Sequence, residues 1–283
     1  MKRRDFVKVL GLASGGLLFG CNVSADKVVL NTLENGISFV PNLFIQLQKD
    51  GKLTIVVARS EMGQGIRTSM ASAIAEDLEA DWKYVTVQQA TGDSKFGNQN
   101  TDGSRSIRTL LKPMRKMGAM ARTILEQAAA NKWNIPVSNC KAENHFVKNS
   151  TTGEEIFFGD LVEEAKTIAI PSDENIILKD KKEFKYIGKK VIRGIDMEDF
   201  LHGKANYGLD ARLPNMKFAS IARSPVTFGS VKSYDTSETV EIDGVEQVVQ
   251  LDRLIPPAGQ FFGMLGGVAV IANNTWSAFQ GKN

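Results

Sequence analysis

The sequence contains few of the residues that bind metals, form disulfide bonds or assist nucleophiles. Its 283 residues include two cysteines, Cys21 and Cys140, and two histidines, His145 and His202. Two cysteines exclude a disulfide-stabilised scaffold and any four-cysteine metal site made by this chain alone. The histidines lie far apart and outside any zinc-binding or serine-hydrolase motif, so each is predicted to be a surface or hydrogen-bonded residue. No metal-binding residue is predicted.

The sequence also lacks a distributed excess of one charge. It has 35 Lys and Arg against 32 Asp and Glu, a formal net charge of +3. The excess comes from the first eight residues, which hold four basic residues and one acidic residue, so the remainder is balanced. A balanced chain has no basic surface for nucleic acid, and none is expected as a partner. The hydrophobic fraction of 42% and charged fraction of 24% are those of a globular protein.

Residues 1–25 are typical of an export signal. Arg3 and Arg4 stand in a charged head, an apolar run too short to span a bilayer follows, and small residues come after it. The paired arginines resemble a twin-arginine signal, which predicts a periplasmic protein or one anchored facing the periplasm. Two processing sites remain open. A lipobox ending at Cys21 gives a lipid anchor, whereas a small-residue site at residues 23–25 removes that cysteine.

The body of the chain combines helix and strand patterns, which predicts an α+β fold. The first helix carries Met70, Ile74 and Leu78 on one face, the second has Pro113 in its first turn, and a last helix begins at Asn274. The charged run at residues 179–183 is interpreted as a solvated linker. Cys140 is predicted to be a buried or free thiol. Strands are predicted at residues 43–48, 53–58, 85–88, 205–209, 218–223, 231–234, 245–251 and 268–272.

Two polar loops are candidate binding sites. Gly63 and Gly65 flank Gln64 just before a predicted helix, where glycines let backbone N–H groups approach an anion and an amide both donates and accepts. Gly103 and Ser104 close a second polar loop that offers further donors. The spacing of these glycines is neither a Rossmann nor a Walker pattern, and a plain tight turn remains an alternative for the first loop.

Longer motifs extend the analysis beyond these loops. Several segments, in this order and over nearly the whole chain, resemble the molybdenum-binding subunits of the xanthine dehydrogenase and aldehyde oxidoreductase family. The segments that carry this resemblance are residues 61–68, 75–82, 101–108, 113–122, 184–189, 203–210 and 268–276. Two residues depart from the family's pattern. Asp102 stands where a second glycine is usual, and Arg105 replaces a smaller residue, so the two either pair with each other or weaken a contact to the cofactor.

The resemblance implies a domain organisation and a set of cofactor contacts. Residues 26–190 are expected to form the N-terminal part of a molybdopterin-binding domain. Residues 191–283 are expected to form an α/β hammerhead domain that is truncated at its C-terminal end. The implied cofactor is molybdenum–molybdopterin, with contacts from the two loops; the expected cofactor-binding residues are Gly63, Gln64, Gly65, Gly103 and Ser104. The family's catalytic glutamate belongs to a part absent from this chain, so no catalytic residue is expected here.

The activity implied by the resemblance is oxidation of N-heteroaromatic compounds or aldehydes with water-derived oxygen. Electrons then pass to a small partner protein with [2Fe–2S] clusters, because two cysteines in this chain are too few to hold one. The chain alone is expected to be inactive. The alternative is an exported lipoprotein that retains the fold as a non-catalytic binding module.

Overall fold

The computed structural model describes residues 38–189, 192–226, 229–253 and 265–283. Its internal contacts divide the chain into two units, the first ending at Ala205 and the second running from Asn206 to Asn283. Both units combine helices with mainly antiparallel sheets, which confirms the α+β class. The predicted export signal and Cys21 lie outside the described residues. Within those described, no helix is both long and apolar enough to cross a membrane.

The first sheet has four strands in chain order and supports the candidate loops. The strands are β1 (Ser38–Asn42), β2 (Ile45–Gln48), β3 (Leu53–Val57) and β4 (Val85–Gln89). β1, β2 and β3 pair antiparallel, whereas β4 pairs parallel with β3. A parallel pair needs a long crossover, and the first helix supplies it. The predicted strands here are confirmed, as is the tight turn between β2 and β3.

Two helices share a hydrophobic core with this sheet. They are α1 (Ile66–Leu78) and α2 (Arg105–Trp133). A Cβ placed on Gly118 of α2 would lie 2.2 Å from the carbonyl oxygen of Ile74 on α1, so the two backbones approach as closely as only glycine permits. The predicted apolar faces are confirmed. The buried residues on them are Met70, Ile74, Leu78, Met114, Met117, Ala121, Ile124, Leu125 and Ala128.

The predicted start of α2 is wrong. The helix begins at Arg105, so Pro113 lies in its interior rather than in its first turn. Proline there has no N–H to donate to the carbonyl of Thr109, a bond that a regular helix would make. Leu110 and Met114 on either side of the proline are 2% and 0% exposed, and their burial in the core offsets the lost hydrogen bond.

A small antiparallel sheet follows α2, and the sequence pattern did not predict it. Its strands, β5 (Cys140–Glu143), β6 (Phe146–Asn149) and β7 (Glu155–Phe157), are too short to show a clear alternation. They pair in chain order and lead into the short helix α3 (Val162–Ala165). Cys140 is buried and not in a disulfide, as predicted.

His145 joins this small sheet to the rest of the first unit. The residue is fully buried, with its Nε2 3.0 Å from the carbonyl oxygen of Gly51, while its Nδ1 accepts the Asp81 N–H at 3.3 Å. A neutral ring with its proton on Nε2 satisfies both bonds. The ring also stacks on Tyr84, with centroids 4.4 Å apart. Burial lowers the pKa of His145 to about 4, against the weaker opposing effect of the Gly51 bond.

We expect the free energy of unfolding to fall by about 3 kcal/mol between pH 7 and pH 4 through His145 alone. The unfolded chain takes up a proton near pH 6.5, whereas the folded chain resists it until about pH 4, so stability is lost as the pH falls through this window. Urea unfolding of wild type and His145→Gln across this range measures the effect. The variant should be less stable at pH 7 and show a shallower acid dependence; parallel pH profiles would contradict the assignment.

The interpretation of residues 179–183 as a solvated linker is wrong at Lys179. Its side chain is buried, and its Nζ lies 2.7 Å from Glu76 Oε1 and 2.6 Å from Glu79 Oε1. Beside it, Arg115 Nε lies 2.6 Å from Asp77 Oδ2. Burial lowers the pKa of Lys179, but the hydrogen bonds to Glu76 and Glu79 outweigh it and raise the pKa above its ordinary value. These five side chains form a buried ion cluster that holds the segment after α3 against α1.

The boundary between the two units falls later than the sequence predicted. The sequence places it at residues 190–191, whereas the contacts divide the chain after Ala205. The short helix α4 (Met197–Leu201) stays with the first unit because Asp196 pairs with Arg67 on α1. The Ile195 N–H also donates to a side chain of α1, at 3.0 Å. These bonds hold the segment in place on the first unit.

The second unit is a three-stranded antiparallel sheet with one helix. Its strands are β8 (Phe218–Ala222), β9 (Val245–Leu251) and β10 (Gly267–Ala272), in the order β8-β10-β9. Helix α5 (Thr275–Lys282) begins where the side chain of Asn274 accepts the Ser277 N–H at 2.8 Å. These elements were predicted, whereas the strands predicted at residues 205–209 and 231–234 are wrong. Neither segment pairs with a strand of the described chain, and the hammerhead assignment stays a prediction.

Candidate functional site

The first predicted loop, residues 59–65, connects β3 to α1. Gly63 and Gly65 have φ values of 99° and 77°, a region that residues with a Cβ rarely adopt. A Cβ on either glycine would meet no other atom within 4 Å, so the protein itself does not crowd them. The glycines therefore set the path of the backbone and leave open space beside it.

Glu61 occupies the backbone donors of this loop. Its Oε1 accepts the N–H groups of Gly63 and Gly65, each at 2.9 Å, and its Oε2 accepts that of Arg67 at 3.2 Å. Burial acts to raise the pKa of Glu61, but these N–H bonds outweigh it and hold the pKa below its ordinary value. The sequence predicted that an external anion approaches these donors. In the structure the carboxylate of Glu61 is the anion at the start of α1.

The side-chain amide of Gln64 is held in a fixed orientation. Its Oε1 accepts the Met62 N–H at 2.6 Å, and its Nε2 donates to the carbonyl oxygen of Ser60 at 3.1 Å. The two bonds distinguish the oxygen from the nitrogen of the amide. An amide nitrogen carries two hydrogens, so Gln64 keeps a second N–H on the exposed surface of the loop. Outward, this side chain is a hydrogen-bond donor.

The second predicted loop, residues 98–104, leads into α2. Gly103 and Ser104 both have positive φ values, 51° and 53°, and Ser104 precedes the helix without a side-chain bond to its N–H groups. Asp102 and Arg105 pair with each other, with Arg105 Nε 2.9 Å from Asp102 Oδ1. Of the two alternatives that the sequence left open for these residues, the structure has the pair.

The structure brings the two loops together at Ser60. Its carbonyl oxygen accepts from Gln64 Nε2 and from Thr101 Oγ1, both at 3.1 Å. Next to it, the Arg59 guanidinium donates to Asn98 Oδ1 at 3.0 Å and to the carbonyl oxygen of a neighbouring residue in the second loop. The five predicted site residues thus lie on two joined loops at the N-terminal ends of two neighbouring helices.

Sequence reasoning did not assign Arg59 and Ser60 to the site. The available signal was a single arginine directly after the apolar strand β3, at a position where a short loop turns into a helix. Neither histidine belongs to the site. His145 is in the core, and His202 is exposed beside Glu198. Among the described residues, no group of three or more His, Cys, Asp or Glu is placed to hold a metal ion.

Comparison with protein families gives one match over most of the chain. Residues 1–199 match the family described as the molybdopterin cofactor-binding domain. The matched part contains both loops, both long helices and the buried ion cluster.

Three characterised proteins are similar to the chain. It is 29% identical to the membrane-bound aldehyde dehydrogenase (pyrroloquinoline-quinone) of Gluconacetobacter polyoxogenes, over 89% of this chain and 33% of that protein. It is 25% identical to the beta subunit of isoquinoline 1-oxidoreductase from Brevundimonas diminuta, over 92% and 38%. It is 28% identical to one of the subunits of nicotinate dehydrogenase from Pseudomonas putida, over 85% and 21%. The chain therefore spans less than two fifths of the length of each of these relatives.

Proposed function

Because this chain belongs to the molybdopterin cofactor-binding domain family, we propose that it forms the N-terminal part of the molybdenum-binding subunit of an oxidoreductase. The observation that carries the proposal is the junction of the two predicted cofactor loops at Ser60. The substrate is an N-heteroaromatic compound or an aldehyde, which is supported by the names of the relatives. The chain is exported through its paired arginines and, if Cys21 is processed as a lipobox, anchored to a membrane.

The residues of the two loops fit an anionic, acceptor-rich cofactor. Molybdopterin carries a phosphate group and presents nitrogen and oxygen acceptors, so its site needs donors and open space. The outward N–H of Gln64 is such a donor, and the space beside Gly63 and Gly65 admits a flat ring. Gly103 and Ser104 supply the start of α2, where backbone N–H groups favour negative charge.

The bound cofactor supplies the molybdenum centre at which a carbon is oxidised with oxygen derived from water. This chain's own residues bind and orient. Gln64 donates to the cofactor, and its amide cannot rotate because Met62 and Ser60 hold both of its polar atoms. Ser60 fixes the distance between the two loops, which keeps the donors of both directed at one ligand. Electrons leave through a separate [2Fe–2S] protein, a proposal supported by two relatives that are themselves subunits of larger enzymes.

We expect Gln64→Ala to lower molybdenum content or turnover by about tenfold or more in the whole gene product purified from its host. Loss of this donor leaves an acceptor of the cofactor unpaired in its site, which costs about 1–3 kcal/mol. Molybdenum per chain, turnover and melting temperature are measured on the same samples. The melting temperature should change little because α1 is held by its buried face.

The matched control is Gln127→Ala, which removes an amide on α2 that bonds only within that helix, to Asn131. It should leave molybdenum content unchanged. Full occupancy with normal turnover in Gln64→Ala would refute the assignment of this loop and favour a plain turn.

A further inference from the structure

Arg59 is a buried cation without a carboxylate partner. Its side chain is 4% exposed, and within the described residues no acidic oxygen lies at ion-pair distance from its guanidinium. The Nη1 atom donates to two acceptors of the second loop, but the buried Nε has no hydrogen-bond partner. Proteins normally pair buried charges, because an uncompensated one is costly. The arrangement indicates that a negatively charged group outside the described chain belongs beside Arg59.

The charges around Arg59 point to the start of α2. Burial lowers the pKa of Arg59, the charge of Arg105 lowers it further, and only Asp102 acts in the opposite direction. Two guanidinium groups thus share one carboxylate, and that carboxylate is committed to Arg105 through direct hydrogen bonds. The N-terminal end of a long helix adds roughly half a positive charge. The local balance is therefore positive.

The two helix starts in the site differ in how they are filled. At α1 the carboxylate of Glu61 already accepts three backbone N–H groups. At α2 the preceding residue, Ser104, makes no side-chain bond to the helix. An entering anion would compete with Glu61 at the first position, whereas at the second it would meet unused donors and an unpaired guanidinium. The second position is the favourable one.

We propose that Arg59 and the N-terminal end of α2 form a phosphate-binding subsite, and that the group it takes is the phosphate of the pterin cofactor. The assignment rests on the proposed function for the identity of the cofactor, but the phosphate chemistry follows from this chain's own residues. The guanidinium of Arg59 donates to phosphate oxygens, and the phosphate replaces Asp102 as the nearest counter-charge. Gln64 then binds another part of the same ligand, and Ser60 sets the spacing between the two contacts.

The test measures binding of inorganic phosphate and pyrophosphate to the full chain by isothermal titration and phosphorus NMR. Arg59→Gln should weaken binding at least tenfold, because a charge-assisted bond is lost. Asp102→Asn should strengthen binding several-fold, because it removes the competing carboxylate. Arg108→Gln is the matched control: it removes the same charge from an exposed residue in the first turn of α2 and should change the affinity less than twofold.

Asp102 is exposed, so Asp102→Asn decides the outcome even if Arg59→Gln does not fold. Equal affinity in wild type, Arg59→Gln and Asp102→Asn would overturn the proposal, as would a phosphate site that Glu61→Gln strengthens and Arg59→Gln leaves intact. Phosphate binding through Arg59, with normal molybdenum loading in Gln64→Ala, would support the subsite and refute the assignment of Gln64. Loss of molybdenum in Gln64→Ala, with phosphate binding independent of Arg59, would do the reverse.

Discussion

Glu76→Gln is expected to lower the free energy of unfolding by about 3–5 kcal/mol, the cost of removing one partner from a buried ion pair. The carboxylate is 1% exposed and accepts Lys179 Nζ at 2.7 Å. It also accepts the backbone N–H groups of Lys185, Tyr186 and Ile187 at 2.7–3.1 Å. Burial acts to raise the pKa of Glu76, but these bonds outweigh it and lower the pKa, so the group is ionised at neutral pH. An amide removes the charge and turns an NH₂ group toward donors.

Urea unfolding of the full chain at pH 7 measures this effect. Glu163→Gln is the control, because Glu163 also pairs with a lysine, Lys49 at 3.1 Å, but on the surface, where ion pairs contribute little. Its unfolding curve should coincide with that of the wild type. If Glu76→Gln also coincides with wild type, the segment at residues 179–187 is held by its other contacts, and the buried ion cluster is not its main attachment.

Gly118→Ala is expected to lower the free energy of unfolding by about 1–3 kcal/mol, the usual cost of overpacking a core. The new methyl group would lie 2.2 Å from the carbonyl oxygen of Ile74 and 3.0 Å from the nitrogen of Leu78. Both atoms belong to backbone, so no side chain can move aside and the helices must separate. Because α1 begins at the first loop and α2 at the second, the separation also disturbs their junction at Ser60. We therefore expect molybdenum content to fall together with stability.

Thermal melting and molybdenum analysis of the whole gene product test this pair of effects. Gly92→Ala is the control, since a Cβ on Gly92 meets nothing within 4 Å and its backbone needs no positive φ. That variant should match wild type in both measurements. A Gly118→Ala protein with wild-type melting and cofactor content would show that the close approach of α1 and α2 is not required.

Much of the architecture could be predicted from local patterns. The strands of the first sheet, the apolar faces of both long helices and the glycine loops before them follow from residues that are neighbours in the chain. The same reasoning failed where local signals were weak or misleading. Pro113 suggested a helix start, but burial of Leu110 allowed the helix to begin earlier, and β5, β6 and β7 were too short to show a pattern.

The sequence by itself determined the element types, the positions of the two polar loops and the resemblance to a molybdopterin-binding family. Only the tertiary structure decided which groups meet. Lys179 and Glu76 are 103 positions apart, and Arg59 and Asn98 are 39 apart, so no local periodicity relates them. Such contacts depend on the packing of α1 and α2, which buries a charge that sequence places on a polar run. For the same reason the sequence showed that Glu61 and Gln64 are close, but not that one fills the loop's donors while the other keeps a donor for a ligand.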